Sequence, residues 1–328
     1  MPSVAERVVI LGTGGTIAGV ADASRSGYRA AQLGVEQLVA AVPALAGVAA
    51  AGGLECEQLA QVDSKDMTHE LWQQLAQRCA QHLARAEIAG VVVTHGSDTL
   101  EETAYFLHRV LAPAKPLVLT AAMRPATALH ADGPQNLLDA VTLARSGAAQ
   151  GWRGVLAVLA AQVWAGAELR KLHGWRLDAF AGGAAGALGA WVGGRLERWR
   201  DAPATPPLGL DAIAAEPAHW PRVEVVASHA GATAGLVDAL CASGVDGLVV
   251  AATGGGSVHA ALLPALQRAR AAGVGVVVVS RCAWGPALAA DRSEADWRTP
   301  WQARIDLLLD LLLDLLRQRQ AGQPGRPP

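Results

Sequence analysis

Short, unbroken apolar runs recur along the chain, separated by amphipathic stretches. Val8–Leu11, GVVVT (90–94), PLVLT (116–120) and GVLAVL (154–159) each read as a strand buried on both faces. Between them, Val35–Val42 suits a short helix and Trp72–Ala86 a longer one, with Leu71, Leu75 and Leu83 on one side. TLEETAYFLHRVL (99–111) and QNLLDAVTLA (135–144) are also helical. This alternation predicts an α/β fold with mostly parallel, doubly wound sheets.

The pattern stops after Arg195. The segment RDAPATPPLGLDAIAAEPAHWP (200–221) is rich in proline and reads as a linker. The alternation then resumes with VEVVAS, AGLVDALCAS, GLVVAAT, VHAALLPALQRARAAG and VGVVVVS. Two domains are expected: a larger one over 1–195, a linker over 196–220, and a smaller, flavodoxin-like one over 221–328. Near the end, IDLLLDLLLDLLRQRQ places Asp306, Asp310 and Asp314 on one stripe of an otherwise apolar helix. Its apolar pieces are too short for a membrane span, so burial in a core or a subunit interface is expected. The tail RQAGQPGRPP is expected to be disordered.

Composition narrows the function classes. Hydrophobic residues make up 52% and charged ones 17%, enough for large cores. The net charge of −2 offers no basic face for nucleic acid. Cys56, Cys79, Cys241 and Cys282 form no CxxC pair, so no zinc site or disulfide framework is expected, only buried thiols in a reducing compartment. Only Arg7 precedes the first apolar run, which leads into glycines rather than a secretory cleavage site; a cytoplasmic protein is expected.

That first run ends in LGTGGTIAG (11–19). A dinucleotide loop would need a third glycine where Ile17 stands, and a P-loop would need a lysine, which first occurs at Lys65. The loop is then either a plain strand-to-helix turn or a support for a reactive hydroxyl, which needs a base and a charged orienter elsewhere. THGSDTLEE brings Ser97 and Asp98 to a helix start, and AGAELRKLHG brings Lys171. Each has a plain reading. Thr99 with Glu102 fits a capping box, and a lysine is usually a solvated charge. Their combination on the strand-end loops of one domain favours catalysis.

On these residues the chain resembles the bacterial-type L-asparaginases of the asparaginase/glutaminase family. TGGTIAG (13–19), VVVTHGSDTLEETAYFL (91–107), AAMRPATALHADGPQNLLDAV (121–141) and DSKDM (63–67) carry the likeness, which runs through the linker into the second domain. The resemblance implies that the larger domain is catalytic and hydrolyses the side-chain amide of L-asparagine, and possibly of L-glutamine, through an acyl-enzyme without cofactor or metal. It implies Thr16 as nucleophile, with Tyr28 on a lid (20–33) relaying its proton. Ser97, standing where the family usually has threonine, Asp98 and Lys171 would form the second catalytic group. Ser64 and Lys65 in the carboxylate loop, Asp98, Ser97 and Ala122 would hold the substrate and its oxyanion. It further implies a homotetramer of tight dimers, or a homodimer, with each site completed by a neighbour. Many members use an asparagine where this chain has Gly255, and the neighbour's acidic residue would be Asp291 or Glu294. The rival readings are a glutaminase-asparaginase, a catalytically silent amino-acid sensor, and the amidase subunit of a transfer-RNA-dependent amidotransferase. That last resemblance would bring an extra N-terminal domain.

Overall fold

A computed structural model describes residues 7–21, 27–288 and 295–321. Asp291, Glu294, part of the expected lid (22–26) and the tail from residue 322 lie outside the described residues. The chain divides into two compact units, Met1–Leu210 and Asp211–Pro328.

In the first unit the elements are β1 (Arg7–Gly14), β2 (Val20–Ala21), β3 (Tyr28–Arg29), α1 (Val35–Ala40), α2 (Pro43–Ala50), β4 (Leu54–Val62), α3 (His69–Ala84), β5 (Ile88–Thr94), α4 (Leu100–Val110), β6 (Pro116–Thr120), α5 (Gly133–Ser146), β7 (Gly154–Leu159), β8 (Gln162–Ala165), β9 (Leu169–Lys171), β10 (Phe180–Gly182), β11 (Gly189–Val192) and β12 (Arg195–Arg198). The main sheet is eight-stranded, in the order β12-β11-β8-β7-β6-β5-β1-β4. From β4 to β7 all neighbours are parallel, and β8, β11 and β12 extend that edge antiparallel.

The central strands are apolar throughout because both faces are covered. Val8, Val9, Ile10 and Leu11 of β1 are fully buried. One face packs on α1 and α5 through Leu38, Leu137 and Leu143. On the other lie α3 and α4, where the Trp72 and Phe106 rings stack at 4.9 Å. The order of the parallel strands matters for the site. The chain leaves β1 for β4 on one side, then returns to β5 on the other. Such a reversal opens a crevice at the carboxyl ends of the two strands beside it.

The second unit holds β13 (Val223–Ala227), α6 (Gly235–Ala242), β14 (Gly247–Ala252), α7 (Leu263–Ala271), β15 (Gly275–Ser280), the short pair β16 (Ala287–Leu288) and β17 (Ala295–Asp296), and α8 (Pro300–Gln320). Its parallel sheet runs β13-β14-β15. α6 and α7 pack on it through Val237, Leu262 and Leu266, and α8 packs against the same strands. The Leu307 side chain presses on the sheet where Gly247 and Gly275 lack side chains. Asp306, on the expected polar stripe, is buried and accepts from Arg298 Nη1 at 2.9 Å. The aspartate-striped helix is therefore a core element of its own unit. Among the described residues no helix is long and apolar enough to cross a membrane.

Several elements differ from the periodicity reading. The helix expected from Val35 to Val42 stops at Ala40, and Pro43 opens α2 at a position where its missing N–H costs nothing. α3 starts at His69 because Thr68 caps it, its hydroxyl accepting from Leu71 N at 3.3 Å. The helix expected over 258–273 is confined to Leu263–Ala271. β12 occupies the first residues of the segment read as linker. The expectation of buried thiols holds only for Cys79. Cys56 and Cys241 are half-buried and Cys282 is exposed, all four as free thiols.

Candidate active site

β1 ends at Gly14 and is followed by Gly15, at φ +106° and +80°, where a side chain would strain the backbone. A Cβ on Gly15 would also collide with the backbone of Gly96, and one on Gly14 with that of Val62. Gly96 in turn has no room for a side chain because Ser64 lies against it. The glycines therefore let the loops after β1, β4 and β5 touch at the carboxyl edge of the sheet, beside the reversal in strand order.

Thr16 opens a short turn (Thr16–Ala18) directly after Gly15 and is buried. Its Oγ1 lies 2.6 Å from Tyr28 Oη. Tyr28 is delivered by the β2–β3 ribbon, in which it pairs with Ala21. Gly19 makes room for its ring, since a Cβ there would come within 2.9 Å of Tyr28 Cδ2. Thr13, on the same loop, donates instead to Thr94 O at 2.9 Å and is fully used as a tie between β1 and β5.

Lys171, at the end of β9, donates from Nζ to Ser97 Oγ at 2.9 Å and to Asp98 Oδ1 at 2.6 Å. The lysine side chain is 14% exposed and that of Asp98 56%, so the cation is enclosed while the carboxylate faces outward. An ion pair this open adds at most about 1 kcal/mol to stability; its consequence is geometric. Thr99 does not form the expected capping box. Its hydroxyl donates to Ser64 O at 2.7 Å, tying the loop after β5 to the one after β4. The Ser64 hydroxyl itself is buried and has no hydrogen-bond partner among the described residues. A buried hydroxyl in that state is satisfied by something that enters.

Lys65 is not drawn into this cluster. Its ammonium pairs with Asp66 at 2.6 Å and Asp63 at 3.3 Å on the surface. Ala122 is fully buried at the start of the loop after β6. That loop is held by Asp132, which accepts from the backbone N–H of Met123 and Arg124, and by Asn136, which donates to Ala121 O. Gly133 brings the same segment against Ile17, next to Thr16.

One supporting residue carries no signal in the sequence alone. His95, fully buried, donates from Nδ1 to Gly96 O at 2.8 Å, since a carbonyl can only accept. Its Nε2 must then accept from Thr103 Oγ1 at 3.0 Å, and Thr103 accepts from Trp72 Nε1 at 2.9 Å. Burial lowers the His95 pKa to about 4, so the ring is neutral near pH 7, as this chain of bonds requires. His95 thus fixes the carbonyl of the glycine between Ser97 and the loop of Thr16. Thr103 lies eight residues on, in α4, and is itself held by Trp72 of α3, a contact that only the fold brings about.

A cavity of about 720 Å³ lies elsewhere in the first unit, lined by His108, Pro113, Arg153 and Pro203, and includes none of these groups. Among the described residues no three His, Cys, Asp or Glu side chains are placed to hold a metal ion.

Comparisons with known proteins cover most of the chain. The family model for the asparaginase N-terminal domain matches residues 7–203, and that for the glutaminase/asparaginase C-terminal domain matches 222–313. A glutaminase-asparaginase of Pseudomonas fluorescens biotype A is 36% identical over 302 residues, covering 92% of this chain and 82% of that protein. L-asparaginase 2 of Escherichia coli strain K12 is 36% identical over 279 residues, 85% of this chain and 78% of the other. The crystal structure of a protein described as a probable cytoplasmic L-asparaginase from Campylobacter jejuni superposes with a TM-score of 0.85 at 34% identity, covering 93% of this chain and 94% of that one.

Proposed function

The chain belongs to the asparaginase family, and from that premise we propose that it hydrolyses the side-chain amide of L-asparagine to L-aspartate and ammonia, with Thr16 as nucleophile. The observation that carries the reading is the 2.6 Å contact between Thr16 Oγ1 and Tyr28 Oη, beside the Ser97–Lys171–Asp98 group. A threonine hydroxyl attacks an amide only if its proton has somewhere to go. Tyr28 relays it: as the bond from Thr16 Oγ1 to the amide carbon forms, its Oη takes this proton and passes its own towards the amide nitrogen, which must be protonated to leave as ammonia. The backbone N–H of Ser97 and the loop at Ala122 stabilise the oxygen as it gains charge. The intermediate collapses to an ester on Thr16 and releases ammonia. Ser97, oriented by Lys171 and Asp98, then helps a water attack the ester, which frees aspartate and restores the hydroxyl.

The same groups account for substrate binding. The outward face of Asp98 suits the α-ammonium, and the unpartnered Ser64 hydroxyl suits the α-carboxylate. Lys65, paired with Asp63 and Asp66, brings no net positive charge to the substrate. The protein works in the cytoplasm as a homotetramer or homodimer, with the loop at Gly255 of a neighbour closing each site.

A second reading, a glutaminase-asparaginase, is favoured by Gly255. The space where a Cβ would stand there is open, so the loop offers no side chain to discriminate between the two amides. Ammonia release from asparagine and glutamine across a concentration series tests both. A higher kcat/KM for asparagine supports the first reading and comparable values support the second. No ammonia from either would defeat both.

A further inference from the structure

We propose that Glu101 is a positioning residue for the Ser97–Lys171–Asp98 group: by accepting the backbone N–H of Lys171, it ties β9 to the first turn of α4 and fixes where the lysine ammonium stands. The proposal rests on the reading of Lys171 given above.

The topology creates the need. Among the described residues β9 pairs only with β10, so its other edge has no strand partner. On that edge the Lys171 N–H meets Glu101 Oε2 at 3.2 Å. Glu101 sits in the first turn of α4, just after the loop that carries Ser97 and Asp98. Lys171 is thus attached to one loop–helix corner at two places: its main chain through Glu101, and its Nζ through Ser97 and Asp98. A lysine stem is long and flexible, and its ammonium is placed reproducibly only if the backbone beneath it is anchored. β9 is only three residues long, and Glu101 supplies the anchor that a neighbouring strand would otherwise give.

The surroundings make this anchor sensitive to pH. The charged groups acting on the Glu101 carboxyl are Glu102 on the same helix and Arg170 and Lys171 on β9. Burial outweighs the two cations and the Lys171 N–H, and pushes the carboxyl up to about 7. When ionised, Glu101 makes a charge-assisted bond to the N–H; when protonated, it keeps an acceptor but loses the charge. The lysine is therefore held more firmly above neutrality than below it.

The test measures kcat and KM for asparagine from about pH 6 to pH 9 in the wild type, Glu101→Gln, Glu101→Ala and Lys171→Met. Glutamine keeps an acceptor without the titration. Glu101→Gln, a neutral acceptor at every pH, is expected to run at the wild type's low-pH level throughout, within about 3-fold of its high-pH kcat, and so to lack the limb near neutrality. Glu101→Ala is expected to lose about 10-fold or more in kcat, with KM within about 3-fold of wild type. Should the alanine variant not fold, the missing limb in Glu101→Gln decides the matter. If Lys171→Met is inactive but Glu101→Ala keeps the wild-type kcat and pH profile, or if glutamine rescues nothing that alanine loses, the positioning role is overturned alone. A fully active Lys171→Met would overturn the reading of Lys171 and this proposal with it.

Discussion

Thr13 and Thr16 share one glycine loop and have separate uses: one hydroxyl ties two strands together, the other meets Tyr28. The proposed roles of Thr16, Ser97, Asp98 and Lys171 attach to single residues in short motifs, so the sequence can nominate them. Support that depends on how helices pack is not legible there, as with His95, whose bond to Thr103 is backed by Trp72 on another helix. His95 yields a prediction about stability. Its folded pKa, about 4, lies below its unfolded value of 6.5. Below pH 6.5 the unfolded chain therefore takes up a proton that the folded one refuses, and stability falls as the pH drops towards 4. Between pH 8 and pH 5 the wild type should lose about 2 kcal/mol more than a His95→Asn variant in denaturant unfolding. Equal losses would contradict a neutral, buried ring.

Elements show the same divide. β1, β5, β6 and β7 are legible because strands covered on both faces become continuous apolar runs. β4, LECEQLAQV, escapes that pattern because it is an edge strand and only partly buried. β8, β11 and β12 are short and follow no helix, so alternation does not reveal them. The capping box of α4 is a local signal overruled by tertiary contact: Thr99 bonds Ser64 rather than its own helix. The junction of β1 with its loop is the most constrained point of the site. Gly15→Ala adds a methyl group against the Gly96 backbone at a φ of +80°. That variant should lose about 2–4 kcal/mol in denaturant unfolding, together with most of its activity. An unchanged midpoint would mean that the loops do not meet as described.

At the scale of the whole molecule, the α/β class and the interruption near the prolines follow from the order of apolar and amphipathic segments. The reversal of strand order at β1 depends on which strands pair, and no local pattern encodes that. Assembly is also tested at this scale. Sedimentation should give a species larger than one chain. Gly255→Asn should fold normally, because the space around Gly255 is open and its φ lies outside the left-handed region. If this loop completes a neighbour's site, the added amide should shift the asparagine-to-glutamine ratio of kcat/KM by about 5-fold or more, the worth of one hydrogen bond. A monomer whose ratio does not move in the variant would refute the shared site.

The central claim is that a threonine at the end of β1 forms the bond to the substrate. It is tested most directly by ammonia release from L-asparagine by the wild type and by Thr16→Ala, with matched unfolding curves to show that both are folded. Rapid release is expected from the wild type, and a loss of about 1,000-fold or more in kcat from the variant. A folded Thr16→Ala that releases ammonia at the wild-type rate would contradict it.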